Sequence, residues 1–257
     1  MNEFLKTATQ ALELSQLQIK KYFRQPLTIE NKSDESPVTI ADKSTEELIR
    51  KTILENHPDH GILGEEYGID NPDATYQWVI DPIDGTKSFI TGMPLFGTLI
   101  GLTRDSNPLM GIIDMPILGE RWIGINGETR LLNNQSCRVS DIKHLDQAKL
   151  YCTHPDMYAN HQLDCFNKLT DEVQLRRFGG DCYAYGLLAS GYIDLVVEGD
   201  LKYYDILALI PVVEGAGGII TDWRGDPLSS NLDGLVVAAA TRELHQAAVN
   251  ILNEVYT

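Results

Sequence analysis

The chain has 257 residues, 43% of them hydrophobic and 23% charged, enough for a sizeable core in one large domain or two coupled lobes. Its net charge of -16 repels polyanions, which argues against nucleic acid and anionic membrane surfaces as partners. A small anionic substrate meets the same repulsion unless metal ions reverse the sign locally.

The opening stretch, "MNEFLKTATQALELSQLQIKKYFR", carries Phe4, Leu5, Ala8, Leu12, Ile19 and Tyr22 on one face of an amphipathic helix. It has no basic region ahead of an apolar block, so it does not read as a secretory leader, and no apolar run approaches membrane-spanning length. The polar "IENKSDESPVTIAD" predicts a loop or hairpin leading to Asp42, and a helix follows from about Ser44. "HGILGEEYG" is a short strand that stops at Glu65 and Glu66. A second strand, Trp78, Val79 and Ile80, runs into Asp81-Pro82, and Pro82 is expected to end it because proline offers the ladder no N–H. Segments 96–103, 109–115 and 119–125 read as a meander, closed by the turn signal Asn126-Gly127.

Residues 133–148 are polar and turn-rich, so two lobes are placed at 1–140 and 141–257. Beyond them strands and helices alternate: "KLYCT", a helix over 156–170, a helix over 181–190, "IDLVVE", a helix over 204–216, "GGIIT", "GLVVAAA" and a closing helix over 241–255. The sum is a mixed α/β chain. Cys137, Cys152, Cys165 and Cys182 lack paired metal-ligand spacing; reduced thiols and a cytoplasmic setting are the expectation. His57 and His60 are spaced H-x-x-H in a polar loop, too weak a signal for zinc. "GAGG" at 215–218 follows a helix rather than a strand, so it reads as a turn and not as a dinucleotide fingerprint.

The chemistry concentrates at strand ends. Asp81 and Asp84 flank Pro82, Gly85 permits close backbone approach, and a helix starting near Thr86 aims free N–H groups at the same space. Carboxylates hold hard cations and helix N-termini receive phosphates, so the string reads as a metal-assisted phosphate site. The competing reading is simple helix capping by Asp84, and likewise by Asp205 at the start of an apolar helix. Glu65 and Glu66 side by side repel unless a cation or solvent relieves them; Glu66 reads as a solvated residue and Glu65 as a site residue.

"GEE", "WVIDPIDGTKSFITGMPLFG" and "YYDILALIPVVEGAGG", with "SPVTIAD" ahead of them, resemble the signatures of the inositol monophosphatase family, in order and spacing over almost the whole chain. The resemblance implies a layered α/β/α/β/α sandwich, usually dimeric, and a Mg²⁺-dependent, lithium-sensitive phosphatase. It implies two or three Mg²⁺ ions held by Glu65, Asp81, Asp84, Asp205 and the carbonyl of Ile83. It implies phosphate on Asp84, Gly85 and Thr86. Thr86, Asp42 and Glu65 resemble the catalytic group, the first two as the pair that positions the attacking water. A non-catalytic phosphate-binding protein on the same fold is the competing class, and retention of every expected acid argues against it.

The substrate is read from "FGGDCYAYGLLASGYIDLVVEGDLKYYD", which resembles the histidinol-phosphate phosphatase branch of that family more than its inositol-specific members. Asp181 and Glu198 fall where the family lines its substrate pocket. Two further carboxylates suit a leaving group with an ammonium and an imidazole, whereas a neutral polyol gains little from them. The competing reading makes Asp181 a cap of the 181–190 helix and Glu198 an ordinary strand-end acid. L-Histidinol phosphate is placed ahead of inositol phosphate and other small esters. Arg176 and Arg177 read as a solvated pair, or as groups reaching substrate across a dimer interface.

Overall fold

A computed structural model describes residues 2–26, 28–31 and 37–256. The amphipathic α1 (Asn2–Tyr22) buries Ala8, Ala11, Leu12 and Ile19. Next come β1 (Glu30–Asn31) and β2 (Pro37–Val38), paired antiparallel; residues 32–36, where a loop or hairpin is expected, lie outside the described residues. The following helix, α2 (Ile40–Asn56), starts before Ser44. Thr39 is its cap: the Thr39 hydroxyl accepts from the Ala41 N–H, and Asp42 accepts from the Thr39 N–H at 2.8 Å. Asp42 therefore sits inside the first turn and not ahead of it.

The chain continues through β3 (Gly61–Gly64), β4 (Gly68–Asp70), β5 (Tyr76–Asp84), α3 (Thr86–Ile90), β6 (Gly97–Arg104), β7 (Asn107–Met115), β8 (Glu120–Ile125) and β9 (Glu128–Leu131). These strands form one sheet in the order β4-β3-β5-β6-β7-β8-β9, antiparallel except for the β3–β5 pair. Pro82 does not end its strand. β5 runs on to Asp84 through a bulge: Asp81 pairs with Leu99 and Asp84 with Gly97, so Pro82 and Ile83 together face Thr98. At a bulge the ladder skips a bond, so the missing N–H costs nothing there.

The second half holds β10 (Lys149–Cys152), α4 (Asn160–Glu172), β11 (Leu175–Phe178), α5 (Tyr183–Ala189), β12 (Leu195–Glu198), α6 (Tyr203–Ile206), α7 (Leu209–Gly215), β13 (Ile219–Asp222), β14 (Val236–Ala239) and α8 (Arg242–Leu252). The second sheet has the order β11-β10-β12-β14-β13. The single helix expected over 204–216 is two. Pro211 would clash with the carbonyl of Leu207 in a continuous helix; instead it sits in the first turn of α7, where no N–H is needed. The "GAGG" stretch is a turn, with Gly217 at φ +91 before β13.

Strand alternation sets the layers. On β5, Trp78 and Ile80 pack with Ala8, Leu12, Ile49 and Ile53 of α1 and α2. Val79 faces the other way, into a cluster with Tyr185, Leu188, Ile206 and Val212 of α5, α6 and α7, and with Val196, Val236 and Ala238 of the second sheet. Leu195, Val197, Val237 and Ala239 point outward onto Phe166 and Leu169 of α4 and Leu244 and Ala248 of α8. The result is an α/β/α/β/α sandwich. No helix among the described residues is long and apolar enough to cross a membrane.

Candidate active site

The carboxyl ends of β3, β5, β10 and β12 and the N-termini of α5 and α6 carry the site. The β5 bulge brings Asp81 and Asp84, with Asp205 from α6, to where one oxygen from each lies within 4.8 Å of the others. Each of the three has one oxygen fixed by the main chain. Asp81 Oδ1 accepts the Ile83 N–H at 2.9 Å, Asp84 Oδ2 the Cys182 N–H at 2.6 Å, and Asp205 Oδ2 the Lys202 N–H at 2.7 Å. Asp84 does not cap α3, whose N-cap is Gly85; it accepts the N–H of Cys182, the N-cap residue of α5, 98 residues away, while Asp205 in the first turn of α6 holds the N–H of the cap residue Lys202 with one oxygen and keeps the other.

Glu65, just past β3, hydrogen-bonds the Asp81 carboxyl. Burial, then the charges of Glu65, Asp84 and Asp205, push Asp81 well above the usual carboxylate range. Burial and Asp84 do the same to Asp205. Asp84 is raised to about 7 by burial and by Asp181, against the pull of the Cys182 N–H. A cluster of carboxylate oxygens crowded with like charge fits hard divalent cations such as Mg²⁺.

Beside it, Gly85 is the N-cap of α3 at φ +86, a conformation suited to glycine, and a Cβ there would stand 2.8 Å from Cγ of Asp181. Thr86 Oγ1 lies 3.3 Å from Asp42 Oδ1 and 3.2 Å from the Ile83 carbonyl, as donor to either. Asp42 is fully buried, with its other oxygen taken by the Thr39 N–H and hydroxyl. Burial raises its pKa, those two bonds lower it, and Glu65 raises it again.

Asp181 does not cap α5; it precedes the cap residue Cys182 at φ +46, and Ser88 Oγ donates to its Oδ2 at 2.7 Å. Burial raises its pKa, while Ser88 and the charge of Lys87 lower it. Glu198 ends β12 and is buried; its Oε1 accepts the Thr153 N–H at 2.9 Å and the Thr153 hydroxyl at 3.0 Å. A cavity of ≈ 570 Å³ opens above, lined among others by Glu65, Gly85, Thr86, His154, Arg177 and Asp181. A recess of ≈ 80 Å³ adjoins Asp84, Asp181, Glu198 and Asp205. Arg177 reaches this cavity within its own chain, while Arg176 donates to the Thr170 hydroxyl at 2.7 Å. His57 and His60 are not arranged as a metal pair: their rings stack at 4.6 Å, and His60 Nδ1 accepts the Trp78 indole N–H.

Sequence reasoning overlooked Lys87, Ser88, Thr153 and His154. The first two directly follow Asp84-Gly85-Thr86, and "YCTHPD" places polar residues at the end of an apolar strand, the signal already used for Asp81.

The family model for the inositol monophosphatase family matches residues 1–256. The chain belongs to that family. It is a phosphoric monoester hydrolase of the inositol monophosphatase type. Among its relatives, the bifunctional phosphatase IMPL2 of Arabidopsis thaliana is 49% identical over 91% of this chain and 70% of its own length. A histidinol-phosphatase of Chlorobaculum parvum is 37% identical over 89% of this chain and 90% of its own. The solved structure of an inositol monophosphatase from Zymomonas mobilis superposes with a TM-score of 0.89 at 41% identity, covering 98% of each chain.

Proposed function

We propose that this family member hydrolyses L-histidinol phosphate to L-histidinol and phosphate in a Mg²⁺-dependent reaction. The observation that carries the reading is the acidity of the alcohol side of the pocket. Asp181 and Glu198 stand beyond Asp81, Asp84 and Asp205, where a leaving group bearing an ammonium and an imidazole gains from them. The Chlorobaculum parvum relative, a histidinol-phosphatase, agrees with it.

In this reading Glu65, Asp81, Asp84, Asp205 and the Ile83 carbonyl hold two or three Mg²⁺ ions. Bound there, Mg²⁺ supplies the positive charge that lets a phosphate dianion approach, and makes water a better nucleophile. Gly85 and Thr86 offer main-chain N–H groups to the phosphate at the start of α3. The Thr86 hydroxyl, donating to Asp42, turns its oxygen lone pairs to the attacking water and passes a proton toward Asp42. Residues 1–140 supply most metal ligands and 141–257 complete the site. A homodimer in a cytoplasmic setting belongs to the same proposal, and sedimentation tests the dimer.

The deciding experiment is phosphate release from L-histidinol phosphate, inositol 1-phosphate, fructose 1,6-bisphosphate and 3′-phosphoadenosine 5′-phosphate, with Mg²⁺ and with chelator. Wild type prefers the histidinol ester. Asp181→Asn lowers its kcat/KM by roughly ten- to a hundredfold, the loss of one charge-assisted contact, and the inositol ester suffers much less. A wild-type preference for a polyol ester, or an equal fall on both, refutes the assignment.

A further inference from the structure

Tyr185 takes no part in the chemistry above, yet its environment asks for a ligand. It lies on α5, 2% exposed, and its hydroxyl is buried with no hydrogen-bond partner among the described residues. An unpaired buried hydroxyl is destabilising, so a position that needed only ring bulk would be better filled by phenylalanine. The side chain lines the ≈ 80 Å³ recess beneath the clustered carboxylates, together with Glu198, Met157, Leu201 and Leu209. Both bonds that Glu198 receives fall on Oε1, which leaves Oε2 for a ligand.

The recess thus presents the Tyr185 hydroxyl as a donor and Glu198 Oε2 as an acceptor, in a lining that combines Met157, Leu201 and Leu209 with the carboxylates of Asp84, Asp181 and Asp205. Its volume leaves room for several waters or for a small planar ring. A neutral imidazole has one N–H and one acceptor nitrogen, the complement of that pair.

We propose that Tyr185 is a specificity-determining residue whose hydroxyl donates to the acceptor nitrogen of the substrate's imidazole, while Glu198 Oε2 accepts from the ring N–H. This rests on the histidinol phosphate reading. It leaves Asp181, next to Gly85, for the ammonium, which the substrate carries on the second carbon from its ester oxygen. Burial and the charges of Glu198 and Asp84 keep the Tyr185 phenol protonated, and so a donor, at any pH at which the enzyme works.

The test is Tyr185→Phe, assayed on L-histidinol phosphate and on L-leucinol phosphate, which keeps the ammonium and the ester but has no ring nitrogen. The variant loses roughly tenfold or more in kcat/KM on the histidinol ester, mostly through KM, and stays within about twofold of wild type on the leucinol ester. Its melting temperature in chelator equals or exceeds that of wild type, because an unpaired hydroxyl has gone, and the Mg²⁺ concentration for half-activation is unchanged. Equal losses on both esters, or none on the histidinol ester, overturn the role of Tyr185 and leave the substrate assignment standing. A wild type that cleaves the histidinol ester no faster than the leucinol ester overturns the substrate assignment, and this inference with it.

Discussion

Replacing Asp84 by Asn should abolish activity and yet stabilise the ion-free protein. The Asp84 carboxyl titrates at about 7 in the folded chain, against an ordinary 3.8. The folded state therefore holds a proton that the unfolded state has released. The stabilisation this gives is full below the unfolded value and is lost as pH rises through about 7. At ~1.4 kcal/mol per pKa unit the loss is at most ~4 kcal/mol. Asp84 is only partly buried, so solvent screening brings the expected figure to ~2 kcal/mol. For a chain of this size that corresponds to ~4–8 °C in Tm. Asn can still accept the Cys182 N–H, so that hydrogen bond survives. Calorimetry in chelator at pH 5 and pH 8 makes the comparison. Wild type melts lower than the variant at pH 8, and by a smaller margin at pH 5. Adding Mg²⁺ at a hundredfold its dissociation constant raises wild type by ~2.7 kcal/mol and leaves the variant almost unmoved. An Asp84→Asn protein that melts below wild type at pH 8, or gains equally from Mg²⁺, would refute the reasoning.

Thr86→Val keeps the shape of the side chain and removes the hydroxyl that meets Asp42 and Ile83. Turnover should fall ~10²-fold or more with little change in melting temperature, and an unchanged rate removes Thr86 from the proton path. Gly64→Ala would set a Cβ 1.9 Å from Glu46 Oε1, and Glu46 Oε2 holds the Glu66 N–H at 2.7 Å. Urea denaturation should show a loss of ~1–3 kcal/mol, and the Mg²⁺ needed for half-activation should rise because the turn carrying Glu65 shifts; an unmoved activation curve separates that turn from the metal site.

The parts of the site readable in the sequence were those packed into short stretches. Asp81, Asp84, Gly85 and Thr86 lie within six residues, and an apolar strand running into two acids is an anomaly visible without coordinates. The hidden parts depend on contacts between distant segments. Nothing local to Asp84 announces that it receives the N–H of Cys182, and nothing in "YCTHPD" says that Thr153 anchors Glu198. Local signals also misled where tertiary structure supplied an exemption. Pro82 reads as a strand breaker, but the β5 bulge had already dropped the bond that proline cannot make. A cap at Thr39 was masked by the polar run around it. Pro211 divides an apolar stretch whose periodicity alone suggested one helix.

The main-chain amides that grip Asp42, Asp81, Asp84, Asp205 and Glu198 have an evolutionary corollary. An amide N–H is present whatever side chain its residue carries. The placement of these acids is therefore written into the path of the backbone and is largely insensitive to substitution nearby. Positions such as Tyr185, Asp181 and Ser88 can drift, one at a time, without dislodging the acids at the centre. A scaffold so arranged can change the alcohol it recognises through small, separately tolerable steps, each passing through an active enzyme.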